Sequence, residues 1–314
     1  MVVLTTDCSP QPLLANDGPG EGGDGPSAGA APRPLRVGLA LSSGGARGFA
    51  HVGVIKGLQA AGCTITMIAG SSIGAIVAAG YAVHGDADAL ERWVLDFRAR
   101  DHARGRVPIM DPARLTAFLD RTFGGATFAD CVVPLRIVAT DLIARVAVTL
   151  DSGPLATAAF ASATLPFVHR PVVWGERLLA DGSLSCVLPL AQATVPGIDL
   201  LVGSLVSRPR ARLNRLTEGL ARTAGGVVRG WGRPYVEFFR ARAPQLPWLG
   251  AIPVATAPPT LILAPDLDRF GALDFARMRE AIAAGEAAVA AGLAQWHPRI
   301  TGHGSGRSGP VAER

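Results

Sequence analysis

The stretch Thr64-Ile65-Thr66-Met67-Ile68-Ala69-Gly70-Ser71-Ser72-Ile73-Gly74-Ala75-Ile76 decides the fold. Its first six residues are a short β-prone run, and Ile73 to Val83 is apolar and alanine-rich, the composition of a buried helix. Between them Gly70-x-Ser72-x-Gly74 has the form of a nucleophile elbow, in which small flanking residues permit a strained strand-to-helix turn that exposes the central hydroxyl. Ser72 is therefore the candidate nucleophile. A second glycine turn lies upstream, at Ser43-Gly44-Gly45-Ala46-Arg47-Gly48. It follows a strand-like run from Leu35 to Leu41 and precedes a helical segment from Phe49 to Ala61, closed by Gly62. Backbone N–H groups at such a helix start suit the negative oxygen of an acyl-transfer intermediate.

Working outward, Asp86 to Arg100 and Pro112 to Phe123 read as amphipathic helices, and Leu135 to Thr140 with Val146 to Leu150 as a hairpin. Pro154 to Ser162 reads as a short helix. Val172 to Trp174 and Arg177 to Ala180 form a second hairpin that delivers Asp181-Gly182-Ser183 at its end. Leu200 to Val206 and Thr260 to Ala264 are expected to be buried strands, and Phe275 to Leu293 a closing helix. Strands alternating with helices predict a three-layer α/β fold with a mostly parallel centre. Gly57 to Val83 carries no charged residue, yet its glycines, threonines and serines fit a strand turning into a helix better than a membrane span.

The chain has 314 residues and a formal charge of +5, a modest excess that does not argue for nucleic-acid binding. Of its 30 basic residues only Lys56 is a lysine. The four cysteines are scattered, with no C-x-x-C pair and no histidine at ligand spacing, so neither a metal site nor a cofactor is expected. The organisation expected is a disordered tail over 1–34, rich in Gly, Pro, Ser and Ala, a folded domain over 35–296, and a second tail over 297–314. The N-terminus lacks a basic region followed by a long apolar core, which makes cytoplasmic residence the expectation. Residues 207–257 hold nine arginines against two glutamates, a local +7, with Trp231, Tyr235, Phe238, Phe239 and Trp248 interleaved. This segment is either a cover that touches anionic lipid at the inner membrane face or a solvated helical insertion.

A serine hydroxyl needs a base within hydrogen-bond reach. A Ser–acid–His order requires His297 or His303, both in the trailing segment, where a base is poorly held. The other choice is Asp181, whose carboxylate becomes a useful base if burial raises its pKa; the bland reading of Asp181-Gly182 is a turn.

Several of these motifs, taken in order, resemble the patatin-like phospholipases, in particular the compact bacterial members related to the neuropathy target esterase catalytic domain. Leu39 to Val54 is similar to the family's glycine-rich oxyanion segment and Gly70 to Gly74 to its elbow. Ala161-Ser162-Ala163-Thr164-Leu165-Pro166 resembles its Ala-Ser-x-x-x-Pro segment, and Asp181-Gly182 its Asp-Gly motif. The likeness runs from about residue 36 to 293. It implies a Ser72–Asp181 dyad without histidine, an oxyanion hole from Gly44, Gly45, Ala46, Arg47 and Gly48, and hydrolysis of phospholipid or lysophospholipid acyl esters. Two positions depart from the pattern, Ser43 where a glycine is usual and Ser183 where Gly or Ala is usual. If position 43 takes positive φ, serine costs about 1 kcal/mol there. Arg47 is expected to brace its loop, and His51 to be a satisfied core histidine.

Overall fold

The computed structural model describes residues 33–101, 112–206, 233–242 and 258–300. An eight-stranded sheet runs through them, with strands β1 (Arg36–Leu41), β2 (Thr64–Ser71), β3 (Leu135–Asp141), β4 (Val146–Leu150), β5 (Val172–Trp174), β6 (Arg177–Ala180), β7 (Leu200–Ser204) and β8 (Thr260–Leu263). The order is β5-β6-β3-β2-β1-β7-β8, with β4 paired to β3. Pairings from β3 through β2, β1 and β7 to β8 are parallel, and those of β4, β5 and β6 are antiparallel.

The alternation of the central strands explains why both faces are covered. Val37, Leu39, Leu41, Ile68, Leu200 and Val202 point into the main core. Ala40, Ala69 and Leu201 point the other way, onto Leu188, Leu190 and Ala193. Successive residues of a strand face opposite sides, so a strand buried on both reads as a continuous apolar run. The main face is capped by α1 (Ala50–Ala60), α2 (Ile73–His84) and the closing helix, and the other by a single turn at Leu190–Ala193.

Two further helices, α3 (Ala87–Asp101) and α4 (Pro112–Phe123), stand beside α2, and α5 (Leu155–Ser162) packs between α2, α4 and β3. With the turn at Leu190–Ala193 taken as α6, the helix at Arg233–Arg242 is α7 and the closing helix, Met278–Ile300, is α8. The closing helix runs past the Leu293 expected from sequence and takes in residues 297–300, which were assigned to the tail. The expectations for 1–32, 207–232, 243–257 and 301–314 lie outside the described residues. The charge-free stretch from Gly57 resolves into the end of α1, β2 and the twelve-residue α2. Among the described residues no helix is long and apolar enough to cross a membrane.

Helices α1 and α8 touch backbone to backbone. A Cβ on Gly53 would lie 1.8 Å from the Ile282 carbonyl oxygen, and one on Gly285 2.0 Å from that of Ala50. Around this seam Lys56 pairs with Glu91 of α3, with Glu286 of α8 at 3.4 Å and with Asp88 at 3.6 Å. Carbonyls cannot rotate away as a flexible side chain can, so a methyl group at either glycine forces the helices apart. Gly53→Ala and Gly285→Ala are each expected to destabilise the fold by about 1–3 kcal/mol, measured by chemical denaturation, with Gly271→Ala as a comparison at a site where the nearest atom lies 3.9 Å from an added Cβ.

Candidate active site

Strand β2 ends in the turn that the sequence singled out. Ser72 has φ 57° and ψ −124°, a left-handed conformation that L-residues adopt only when their surroundings impose it. The surroundings do so by excluding side chains. A Cβ on Gly70 would meet the Gly74 carbonyl oxygen at 2.3 Å, and one on Gly74 the Leu41 carbonyl oxygen at 2.4 Å.

The pairing pattern brings Asp181 to this turn. Strand β4 occupies one edge of β3 along Ile137 to Asp141. Strand β2 pairs with the other edge only as far as Ser71↔Val138 and then bends into α2. Strand β6 takes the vacated stretch of that edge, Ala180 opposite Thr140, and runs antiparallel, so its last residue points back at the elbow. Gly182 then lies so close that a Cβ there would sit 2.2 Å from the Val138 carbonyl oxygen and 2.6 Å from Ser71 Oγ.

The result is a direct contact: Ser72 Oγ donates to Asp181 Oδ2 at 2.7 Å. Both residues are buried, Ser72 8% and Asp181 2% exposed. The other carboxylate oxygen accepts the Ser183 N–H at 2.8 Å. The Ser183 side chain hydrogen-bonds Asp181 as well, a contact that glycine or alanine at this position does not make. The Asp181 main chain is held from two sides, its N–H by the Thr164 carbonyl at 3.1 Å and its carbonyl by Thr140 Oγ1 at 2.8 Å. Burial pushes the Asp181 carboxyl above the ordinary carboxylate value, and the hydrogen bonds from Ser183 and Ser72 oppose that shift in part.

Ser162 braces the elbow in a way that sequence reasoning did not anticipate. Its hydroxyl accepts the Ser72 N–H at 2.9 Å and donates to the Val138 carbonyl at 2.6 Å. The only signal for it was the Ala-Ser-x-x-x-Pro likeness, which names the residue without its task.

The upstream turn is a 3₁₀ helix over Gly45–Phe49. Positive φ falls on Gly45, at 59°, and not on Ser43, so the serine there carries no backbone cost. The donor set implied for the oxyanion hole needs one correction, because the Ala46 N–H donates to the Ala272 carbonyl at 2.7 Å. A 3₁₀ turn also uses the N–H groups of its later residues internally, which applies to Arg47 and Gly48. Gly44 and Gly45, at its start, are the donors best placed to face a ligand. Arg47 is a brace, its Nε donating to the Phe270 carbonyl at 2.8 Å.

His51 is fully buried, with Nδ1 2.8 Å from Ser204 Oγ and Nε2 2.8 Å from the Ser42 carbonyl. The carbonyl can only accept, so Nε2 carries the proton and Nδ1 takes that of Ser204. Burial lowers the pKa of His51 to about 4. It is a neutral strut beneath the glycine turn. The side chain of His297 and all of His303 lie outside the described residues.

One expectation about the arginine-rich segment is overturned. Phe238 and Tyr235 of α7 are fully buried, packed with Leu142, Ala180 and Leu184, so Phe238 does not offer its ring to a lipid surface. Tyr235 lies against Phe167, ring centroids 5.4 Å apart, and Phe167 itself has φ 63°. Burial, and after it the Asp181 carboxylate, push the Tyr235 phenol above its ordinary value.

An α/β sheet with a strained serine at a strand-to-helix turn and a carboxylate on its hydroxyl falls in the class of α/β folds that carry a serine elbow. Within that class the patatin-like phospholipase family model matches residues 39–194, a span that contains both Ser72 and Asp181. The chain belongs to the patatin-like phospholipase family. It is 39% identical over 173 residues to an NTE family protein of Mycobacterium tuberculosis, covering 53% of this chain and 48% of that protein. A lysophospholipase of Emericella nidulans is 26% identical over 265 residues, 78% of this chain and 17% of the fungal protein. The chain thus spans about half the length of the mycobacterial relatives it matches, or less for the fungal one. Among solved structures, VipD from Legionella pneumophila superposes with a TM-score of 0.42 at 15% identity, covering 83% of this chain and 68% of that one.

Removing the Ser162 hydroxyl leaves the buried Ser72 N–H without its acceptor. Ser162→Ala is expected to cost about 1–3 kcal/mol of stability and to lower kcat by up to about 10²-fold through misplacement of Ser72. Steady-state kinetics on a soluble ester, beside a denaturation curve, checks both; an unaltered kcat would show that the elbow holds its geometry without this brace.

Proposed function

We propose that this protein hydrolyses carboxylic esters of lipids, of the phospholipid or lysophospholipid type, through a Ser72–Asp181 dyad. The observation that carries the reading is the 2.7 Å hydrogen bond from Ser72 Oγ to Asp181 Oδ2 at a backbone turn of positive φ. Asp181 takes the Ser72 proton as Oγ attacks the ester carbonyl carbon, and the carbonyl oxygen becomes an oxyanion held by the N–H groups of Gly44 and Gly45. Asp181 then returns the proton to the departing alkoxide, leaving an acyl-serine. Water attacks the acyl group in turn, giving a proton to Asp181, and the carboxylic acid leaves as Ser72 recovers its hydroxyl. The lipid part of the reading is supported by the family and by the lysophospholipase name of the fungal relative.

An ionised Asp181 is needed for the first step, so activity falls as pH drops through its pKa. Burial raises that pKa, and the acid limb of kcat/KM is expected above the ordinary carboxylate range. Ser72→Ala is expected to lose about 10⁶-fold in kcat together with fluorophosphonate labelling, and Asp181→Asn about 10²–10⁴-fold with the acid limb gone. His297→Ala and His303→Ala should match the wild type. A large loss at either histidine, or labelling that persists in Ser72→Ala, would replace the dyad with another mechanism.

The same reading places the arginines of 207–257 toward anionic headgroups, with Tyr235 and Phe238 excluded as buried anchors of α7. Replacing Arg208, Arg210, Arg212 and Arg215 by glutamine should reduce hydrolysis of anionic vesicles far more than that of a soluble short-chain ester, and added salt should do the same. Equal losses on both substrates would make the segment a structural insertion.

A further inference from the structure

Six large apolar side chains are exposed among the described residues: Val132, Ile143, Val146, Val168, Val173 and Leu273. Single ones are ordinary on any surface, but five of these six gather at one end of the sheet. The parallel strands β1, β2, β3, β7 and β8 all finish at that end, where β2 runs into Ser72. Ile143 and Val146 belong to the turn that follows β3, with Asp141 opposite Val146. Val173 is on the β5–β6 hairpin. Asp141, the last residue of β3, and Val172 both lie opposite Leu179, so the rest of the hairpin extends past the end of β3. Val168 lies between Thr164, whose carbonyl accepts the Asp181 N–H, and Val172. Leu273 follows Ala272, whose carbonyl accepts the Ala46 N–H of the glycine turn. The sixth, Val132, donates its N–H to the Ala82 carbonyl, near the far end of α2 and about 15 Å along the helix from Ser72.

The backbone holds these side chains out. Asp141 Oδ1 accepts the N–H groups of Ile143 and Ala144 at 2.8 and 3.2 Å, and the Asp141 carbonyl accepts that of Arg145 at 2.8 Å. The turn keeps its shape without the Ile143 side chain, and Ile143 is 66% exposed. Val173 is 74% exposed on a strand paired with β6.

Charge and residue type narrow the partner. Over 142–146, 165–177 and 264–274 the chain carries Arg145, Arg170, Arg177 and Arg269 against Glu176, Asp266, Asp268 and Asp274, which balance. Protein interfaces are anchored by aromatic and arginine side chains clustered at a dry centre. Here the exposed apolar groups are all aliphatic, stand on separate loops and have charged residues between them. A lipid layer demands no matching shape, and one of zwitterionic headgroups is as neutral as this face.

We propose that this end of the sheet is a lipid-docking face, on which Ile143, Val146, Val168, Val173 and Leu273 enter the headgroup layer of a neutral bilayer and bring Ser72 to it. The choice of lipid as partner rests on the lipid-ester reading of the dyad. The attachment is apolar, so salt leaves it unchanged, in contrast to the attraction expected of the arginine segment.

The experiment measures cosedimentation of Ser72→Ala protein with vesicles of phosphatidylcholine. It should bind, equally at low and high salt. Adding Ile143→Gln or Val173→Gln should weaken partition by about tenfold each, because a polar amide replaces an inserted aliphatic group. Val132→Gln, at the opposite end, should leave it unchanged. Both test positions are exposed, so neither change removes a core contact, and circular dichroism checks the fold. Absence of binding, binding abolished by salt, or equal binding by all the variants overturns the proposal. Self-association lost in Ile143→Gln, without vesicle binding, also overturns it and makes the face an interface between copies of the chain. Hydrolysis of a soluble short-chain ester by the wild type is followed separately: its absence counts against the dyad, and the docking face is still decided by sedimentation.

Discussion

The arrangement rests on one backbone constraint: a serine held at positive φ where β2 becomes α2. That turn points the Ser72 hydroxyl out of the sheet, and it exists only because Gly70 and Gly74 let carbonyls approach to distances no Cβ permits. Strain of this kind must be held by its neighbours. Here Ser162 supplies a hydroxyl that ties the Ser72 N–H to the Val138 carbonyl. The Val138 carbonyl oxygen is also the atom against which Gly182 packs. A single peptide group of β3 therefore positions both halves of the serine–aspartate pair.

The strand–turn–helix at Ser72 was legible because the pattern is local: a β-prone run, two glycines around a serine, and an alanine-rich helix occupy consecutive residues. Both hairpins were legible for the same reason, whereas the order of strands across the sheet depends on crossovers between distant segments. Asp181 was not, from spacing alone. Its role depends on β6 taking the edge of β3 that β2 vacates, a relation between segments 109 residues apart. The family likeness supplied what periodicity could not. Ser162 and the exclusion of Ala46 from the donor set were hidden likewise, since each depends on a distant partner, the Val138 and Ala272 carbonyls.

The arginine-rich segment shows how composition misleads at a single position. Phe238 sits among basic residues and reads as an interfacial aromatic, yet α7 is amphipathic, with Arg233 and Glu237 outward and Tyr235 and Phe238 packed near the Asp181 turn. Charge counts describe a segment; the helical period decides which of its side chains a solvent or a lipid can meet.

The one lysine has a consequence of its own. Lys56 joins α1 to α3 and α8 by pairing with Glu91 and Glu286, and with the nearby Asp88. Histidines aside, every other basic side chain in the chain is a guanidinium, which ordinary amine reagents leave untouched. Acylation of the lysine side chain would therefore fall on a single helical junction, neutralise the cation there, and leave three carboxylates facing one another across the seam where Gly53 and Gly285 bring two backbones together.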